Sequence, residues 1–224
     1  MRKHWRRIRE HWNRTDTVVM ATNHAALAVF IWNCWWDSVA LCLAASAVPL
    51  AIQIVRAIRT DRLLRDALIF GAAIGFAWPF GEGLLTESLG WWGEYLAPGI
   101  TVWHTPLYCI FIGWLASTHL YYLSHRLEEM GYGRRTSMAL VGITAFGMGL
   151  VGENLFVWAN MWRYDVSGLD WWAIPAFVPI AYGAGYAVLP LLNRRGVWTA
   201  SAVCGVVLFV SCVGLGLATG FFPR

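Results

Sequence analysis

Apolar residues in this chain come in runs of the length that crosses a lipid bilayer, roughly 20 residues for a helix. Charged or turn-rich breaks divide them into seven candidate spans, at 17–33, 38–55, 67–85, 98–123, 138–158, 171–192 and 197–221. Of the 224 residues 58% are hydrophobic and only 13% charged, against about 25% charged in an ordinary soluble domain. The expected class is therefore an all-α polytopic membrane protein with seven transmembrane helices, and nuclear, secreted and disordered classes fall away. Only Cys34, Trp35, Trp36 and Asp37 separate the first two runs, and Asn23, His24 and Asn33 make the first polar enough to lie in the interface instead.

Charge placement sets the expected orientation. Six Lys and Arg lie in residues 1–16, followed by Arg56, Arg59, Arg62 and Arg65, then Arg126, Arg134 and Arg135, then Arg194 and Arg195. With seven spans all of these fall on one side, and only Arg163 and Arg224 fall on the other. Short loops with that bias face the cytoplasm. The N-terminus is expected inside and the C-terminus outside, in a bacterial inner membrane. Residues 1–16 read as a basic cytoplasmic segment on anionic headgroups, and 17–224 as one membrane domain. A cleaved signal ending near Ala45, Ser46 and Ala47 fits less well, because the apolar stretch is too long.

Two loops on the outer side carry the same pattern. Tyr95 is followed by Gly99, Ile100, Trp103 and Pro106, and Tyr164 by Gly168, Leu169, Trp172 and Pro175, at identical offsets. A Trp precedes each Tyr (Trp92, Trp162), and an acid precedes that (Glu82 or Glu87, and Glu153). A duplicated helix, loop, helix unit follows, with copies at about 67–123 and 138–192. Both loops point the same way, so the repeat is parallel and places equivalent residues around one axis. The plainer role for most of these aromatics is an interfacial belt.

Depth separates the acids. Asp61, Asp66, Glu128 and Glu129 sit among arginines and read as solvated charges, while Glu87, Glu94 and Asp37 lie nearer water. Glu82 falls inside the apolar run 67–85, four residues after Trp78 and on the same helical face; Glu153 follows Gly149 and Gly152 and precedes Asn154 and Trp158. An ionisable group at such depth is by default functional. A carboxyl in apolar surroundings tends to keep its proton and can act as an acid. A nearby indole face steadies a developing cation by about 0.5 to 2 kcal/mol. Those are the parts needed to protonate an alkene or epoxide and guide the resulting carbocation. Glu82, Glu153 and Glu87 are the candidate acids; Trp78, Trp103, His104, Tyr108, Asn154, Trp158 and Trp162 are the candidate pocket lining. A helix-packing hydrogen bond is the plainer role for the acids, as is satisfied packing for His104 and Tyr108. Gly71 and Gly75 form a GxxxG face suited to close helix packing.

Several chemistries lack their residues. Lys3 is the only lysine, so no retinal Schiff base can form within the helices. His119 and His125 make no cluster that would hold a di-iron centre, and no nucleotide or hydrolase motif occurs. The cysteines (Cys34, Cys42, Cys109, Cys204, Cys212) stand singly and read as packing residues. No metal, cofactor or nucleic acid is expected.

The duplicated arrangement of helix, acid, aromatic loop and Pro-led helix resembles the integral-membrane lycopene cyclase and carotenoid hydratase group. It is also similar to the seven-helix terpene cyclases of meroterpenoid pathways, over roughly residues 35–192. In the latter, an acid near a Trp, close to the end of the helix after an Arg-Asp loop, is implicated as proton donor. Arg65, Asp66, Trp78 and Glu82 occupy that layout, although Trp and acid are adjacent in that family and four apart here. The paired glutamates that follow the repeat's proline in lycopene cyclases are replaced by Leu107, Tyr108 and Cys109, and by Ala176, Phe177 and Val178. The acid role then moves to Glu82, Glu87 or Glu153.

The resemblance implies a cofactor-free terpenoid cyclase acting on a prenyl or terpenoid chain among membrane lipids, with carotenoid hydration or lycopene-type cyclisation as the alternative. A small proton-coupled transporter or lipid-binding protein is the rival from another class, and a subunit that docks a partner on its Trp-rich rim is a third. Transport needs polar groups open to both faces, and every buried acid is expected in the outer half.

Overall fold

The computed structural model describes residues 10–85, 93–164 and 170–221. Its helices are α1 (Arg14–Asn33), α2 (Val39–Thr60), α3 (Arg62–Gly83), α4 (Leu107–Glu129), α5 (Arg134–Trp158), α6 (Phe177–Tyr186), the one-turn α7 (Leu189–Leu192) and α8 (Val197–Ala218). Four of them, α2, α3, α5 and α8, are long and apolar enough to cross a membrane. These four mark the chain as a multi-pass membrane protein. The expected spans at 17–33 and 98–123 are helical in large part but less apolar. Thr15, Asp16, Thr22 and Asn33 on α1, and Ser117, Thr118, Ser124 and Arg126 on α4, lower their hydropathy and are buried inside the bundle.

The helix boundaries follow from local capping. Asn13 and Asp16 form a capping box at the start of α1, each side chain accepting from the other's backbone N–H at 2.9 and 2.8 Å. Asp61 both ends α2 and caps α3, its carboxylate accepting from Leu64 N–H at 2.9 Å, so the two helices meet without a loop. Contacts gather arginines at one end of the bundle: Arg56 donates to Thr15 Oγ1, Arg126 pairs with the neighbouring Asp16, and Arg194 lies 3.8 Å from Glu128, two residues after Arg126. Helices α3 and α4 approach closely across the GxxxG face: a Cβ added at Gly71 would lie 2.2 Å from Thr118 Oγ1, and one at Gly75 would lie 2.7 Å from the Ile110 carbonyl. Side chains such as Ile58, Ile143, Val206 and Val210 stay exposed along the helices, facing what would be lipid.

The opposite end is built by short strands. Between α3 and α4 lie β1 (Gly93–Tyr95), β2 (Thr101–Val102) and β3 (Thr105–Pro106); between α5 and α6 lie β4 (Trp162–Tyr164), β5 (Asp170–Trp171) and β6 (Ile174–Pro175). Strands β2 and β3 form one tight hairpin and β5 and β6 another. The expected spans at 98–123 and 171–192 therefore begin as hairpins, and their helices start only at Leu107 and Phe177. In both hairpins the first turn residue is a Trp with positive φ, 58° at Trp103 and 62° at Trp172, a place usually filled by Gly. Strain of about 1 to 3 kcal/mol therefore falls at the same point of both loops. Strands β1 and β4 pair antiparallel, with Gly93 opposite Tyr164, Glu94 opposite Arg163 and Tyr95 opposite Trp162.

One buried ion pair ties α1 to α4 at the basic end. Arg126 donates from Nε and Nη2 to the two Asp16 carboxylate oxygens, both at 2.8 Å, and Tyr122 OH donates to Asp16 Oδ1 at 2.9 Å. Asp16 is 4% exposed and Arg126 8%. This corrects the expectation that every buried acid lies toward the hairpins: Asp16 caps its own helix and is drawn inward by a guanidinium in bidentate geometry. Arg126→Met would strand a buried carboxylate, and a loss of about 3 to 5 kcal/mol is expected in denaturant titrations of the detergent-solubilised protein. Combining it with Asp16→Asn should recover part of that loss, and strict additivity of the two would contradict the pairing.

Candidate functional site

Glu82 and Glu153 stand near the hairpin ends of α3 and α5, and each is held by hydroxyl donors from elsewhere in the chain. Glu82 Oε2 accepts from Tyr95 OH on β1 in a short hydrogen bond and from Thr105 Oγ1 on β3 at 3.0 Å. Trp78, one turn earlier on α3, also hydrogen-bonds to it. Glu153 Oε2 accepts from Tyr164 OH on β4 at 2.9 Å, and its Oε1 accepts from Tyr182 OH on α6 at 2.7 Å. The two carboxyls are close enough to interact electrostatically. Burial pushes the Tyr95 and Tyr164 phenols well above their usual range, so each remains a hydrogen-bond donor.

Aromatic rings join the two halves. Tyr95 and Trp162 lie 4.5 Å apart between centroids, Trp162 and Tyr164 5.5 Å, and Trp78 and Tyr182 5.9 Å. Phe221, after α8, closes the far side against Tyr164 and Phe177. Two glycines make this packing possible. Gly93 has φ of 152°, and a Cβ there would lie 2.8 Å from Trp162 Cζ2. A Cβ on Gly149 would lie 2.3 Å from Tyr182 Cδ2, so the bare backbone of α5 is the seat from which Tyr182 reaches Glu153.

The sequence-predicted residues divide. Glu82, Glu153, Trp78 and Trp162 come together. Asn154 is buried one residue beyond Glu153 and pins the second hairpin, its Oδ1 accepting from Ala173 N–H at 2.8 Å. Tyr108 is not brought to the carboxyls: it donates to the Ala97 carbonyl at 3.1 Å and packs with Cys42, Ala159 and Met161. Trp103 and Trp158 are 53% and 49% exposed, the first against Phe80 and His104 and the second against Trp172. With Trp32, Trp35 and Trp36 they form an exposed aromatic rim at the hairpin end, while Trp12 and Trp198 are exposed at the basic end. Glu87 lies outside the described residues. Sequence reasoning missed Thr105 and Tyr182 and used Tyr95 and Tyr164 only as pattern markers. A hydroxyl at the same repeat position after each acid is the signal that could have identified the two tyrosines as donors.

Chemically, the cluster offers two carboxyl groups, hydroxyls that orient them, and ring faces between them. Among the described residues no group of His, Cys, Asp and Glu is placed to hold a metal ion. No protein-family model matches the chain, and neither a curated protein nor a solved structure matches it. The functional reading therefore rests on the geometry.

Gly149→Ala should displace Tyr182 and destabilise the protein by about 1 to 3 kcal/mol. Gly147→Ala, two residues away where an added Cβ meets nothing within 4 Å, should be neutral or stabilising by up to about 1 kcal/mol. Denaturant titration of both variants checks this, and equal effects would remove the structural role assigned to Gly149.

Proposed function

We propose that this protein is a membrane-embedded terpenoid cyclase in which Glu82 and Glu153 perform acid–base chemistry on a prenyl chain. The observation that carries this reading is the pair of inward carboxyls, each fixed by tyrosine hydroxyls, with aromatic rings between them. In the reaction the acid transfers its proton to a terminal alkene carbon or an epoxide oxygen. In the second case the C–O bond breaks and keeps its electrons on oxygen. The cation at carbon is then attacked by the π electrons of an internal alkene, forming the ring C–C bond. Loss of a neighbouring C–H proton to a carboxylate ends the sequence, and capture of water instead would make the enzyme a hydratase. Glu82 is the proposed donor, since it has the smaller exposure and a Trp and a Thr beside it, and Glu153 the partner that takes the final proton. Trp78, Trp162, Tyr95, Tyr164 and Tyr182 supply ring faces to the cation.

The same reading includes seven spans, a cytoplasmic N-terminus, an outward C-terminus and a bacterial inner membrane. The gathering of arginines at the end away from the hairpins supports that orientation. The site then lies toward the outer leaflet, where a prenyl chain is dissolved at high local concentration. No cofactor is assigned to the chemistry.

A proton-coupled transporter is the second reading, favoured by the buried polar groups at the basic end. Besides Asp16 and Arg126, Gln53 Nε2 donates to Thr22 Oγ1 at 2.8 Å, and Ser117 and Tyr186 share a hydrogen bond of 2.6 Å. The test is incubation of the purified protein with farnesylated and carotenoid substrates, followed by product analysis. The wild type should form a cyclised or hydrated product, and Glu82→Gln and Glu153→Gln should each slow it by about 10²-fold or more while remaining folded. Absence of conversion by the wild type, or normal turnover by both variants, overturns the cyclase; substrate-dependent proton uptake by proteoliposomes would favour transport.

A further inference from the structure

We infer that an apolar groove between α2 and α3 binds one acyl chain of an anionic phospholipid, with the lipid phosphate held by Arg65. None of the groove's residues belongs to the carboxyl cluster, so the inference stands apart from the cyclase reading.

Ile54 and Ile58 of α2, Leu68 and Ala72 of α3 and Trp114 of α4 line a groove of about 190 Å³, in which Arg65 is the one charged lining residue. Arg65 stands in the first turn of α3, and Ala72 lies seven residues further on, about 10 Å along the helix axis. The groove thus leads from the basic end toward the middle of the bundle. Ile58 is 76% exposed, so the groove opens outward, and α2 and α3 are both long and apolar enough to cross a membrane. What lies outside them is then lipid.

The floor of the groove is already formed. Trp114 Nε1 donates to the Leu68 carbonyl at 2.8 Å, which uses the only polar atom of its side chain and leaves ring carbon toward the groove. A Cβ at Gly71 would lie 2.8 Å from Trp114 Cδ1, so the bare backbone of α3 lets the indole lie against it. A groove below the roughly 300 to 1,000 Å³ of a small-molecule pocket encloses no whole ligand. It accepts a segment of hydrocarbon chain whose remainder stays in the bilayer.

Charge selects the headgroup. Residues 56–66 carry four arginines, Arg56, Arg59, Arg62 and Arg65, against Asp61 and Asp66. Asp66 faces Arg62 at 4.0 Å, and the Asp61 carboxylate caps α3. Arg65 is exposed and makes no ion pair among the described residues. Its stem can follow the apolar wall while its guanidinium stays at the interface, where it matches a phosphate in bidentate geometry. A zwitterionic headgroup brings its own cation to that phosphate, whereas an anionic one leaves it to the arginine. A second copy of this chain fits less well, because a twofold contact here would bring Arg65 against its own copy.

The test is native mass spectrometry of the full chain released from detergent micelles, titrated with phosphatidylglycerol and with phosphatidylcholine of the same acyl chains. The first phosphatidylglycerol is expected to bind about fivefold more tightly than the first phosphatidylcholine. Arg65→Gln should abolish that preference, and Ala72→Phe, which fills the groove, should weaken both lipids. Arg135→Gln, an exposed arginine outside the groove, should change neither. Equal binding of the two lipids, an Arg135→Gln effect as large as that of Arg65→Gln, or indifference to Ala72→Phe overturns the inference. So does a dimer that Ala72→Phe dissociates, which gives the groove to a second copy, or displacement of phosphatidylglycerol by equimolar farnesyl phosphate, which gives it to a prenyl chain.

Discussion

A carboxyl group placed inside an apolar helix bundle has to be given hydrogen-bond donors, because no solvent is there to supply them. In this protein the hydroxyl donors come from outside the helix that carries the acid. Glu82 on α3 is served by Tyr95 and Thr105 from the first set of strands, and Glu153 on α5 by Tyr164 from the second set and Tyr182 from α6. The placement of the acids and the folding of the hairpins are therefore one problem. The strands close the end of the bundle, and their tyrosines hold the acids at a fixed orientation. The strained Trp103 and Trp172 turns persist because paired strands and following helices determine them from both sides.

The two loops that share the repeated spacing meet in the antiparallel β1–β4 pair. Glu94 and Arg163 occupy equivalent repeat positions and sit directly opposite each other in the β1–β4 pair, where Arg163 Nη2 lies 2.5 Å from Glu94 Oε1. In an identical duplicate that position would face its own copy, and like charges would repel. Here the charges are opposite and clasp the two strands, on exposed side chains whose direct energetic worth is small. Other positions at matching offsets also carry different residues. Thr105 corresponds to Ile174, and Tyr182 to Gly113, so each acid draws its second donor from a different place. Gly93 corresponds to Trp162, and the space over the strand pair holds one indole where a Cβ on the partner strand would collide. The two carboxyls thus sit in different surroundings despite the repeated loop spacing.

Much of this was legible in the residues. Apolar run length placed the four long apolar helices, and the repeated spacing from Tyr95 and from Tyr164 located the two loops that pair with each other. The depth of Glu82 and Glu153 singled out the two acids that the fold brings together. Other expectations followed spacing where packing decided. Tyr108 shares a helical period with His104, yet its ring turns to Cys42 and Met161. Trp103 and Trp158 are near the acids in sequence but point outward, because a positive-φ turn and a helix end direct them to the rim. Asp16 read as part of a basic tail, and only the distant Arg126 makes it a buried ion.

By itself the sequence determined what a linear pattern can carry: four helices long enough for a bilayer, clusters of arginine, a repeated loop spacing and two carboxyls within apolar runs. These depend on properties counted along the chain, namely transfer free energy, charge and spacing. Which hydroxyl meets which carboxyl, and that Tyr182 is seated on Gly149, were decided only by the tertiary structure. Hydrogen bonds and ring contacts act over a few ångströms between residues far apart in sequence, so they exist only once the helices and hairpins have taken their places.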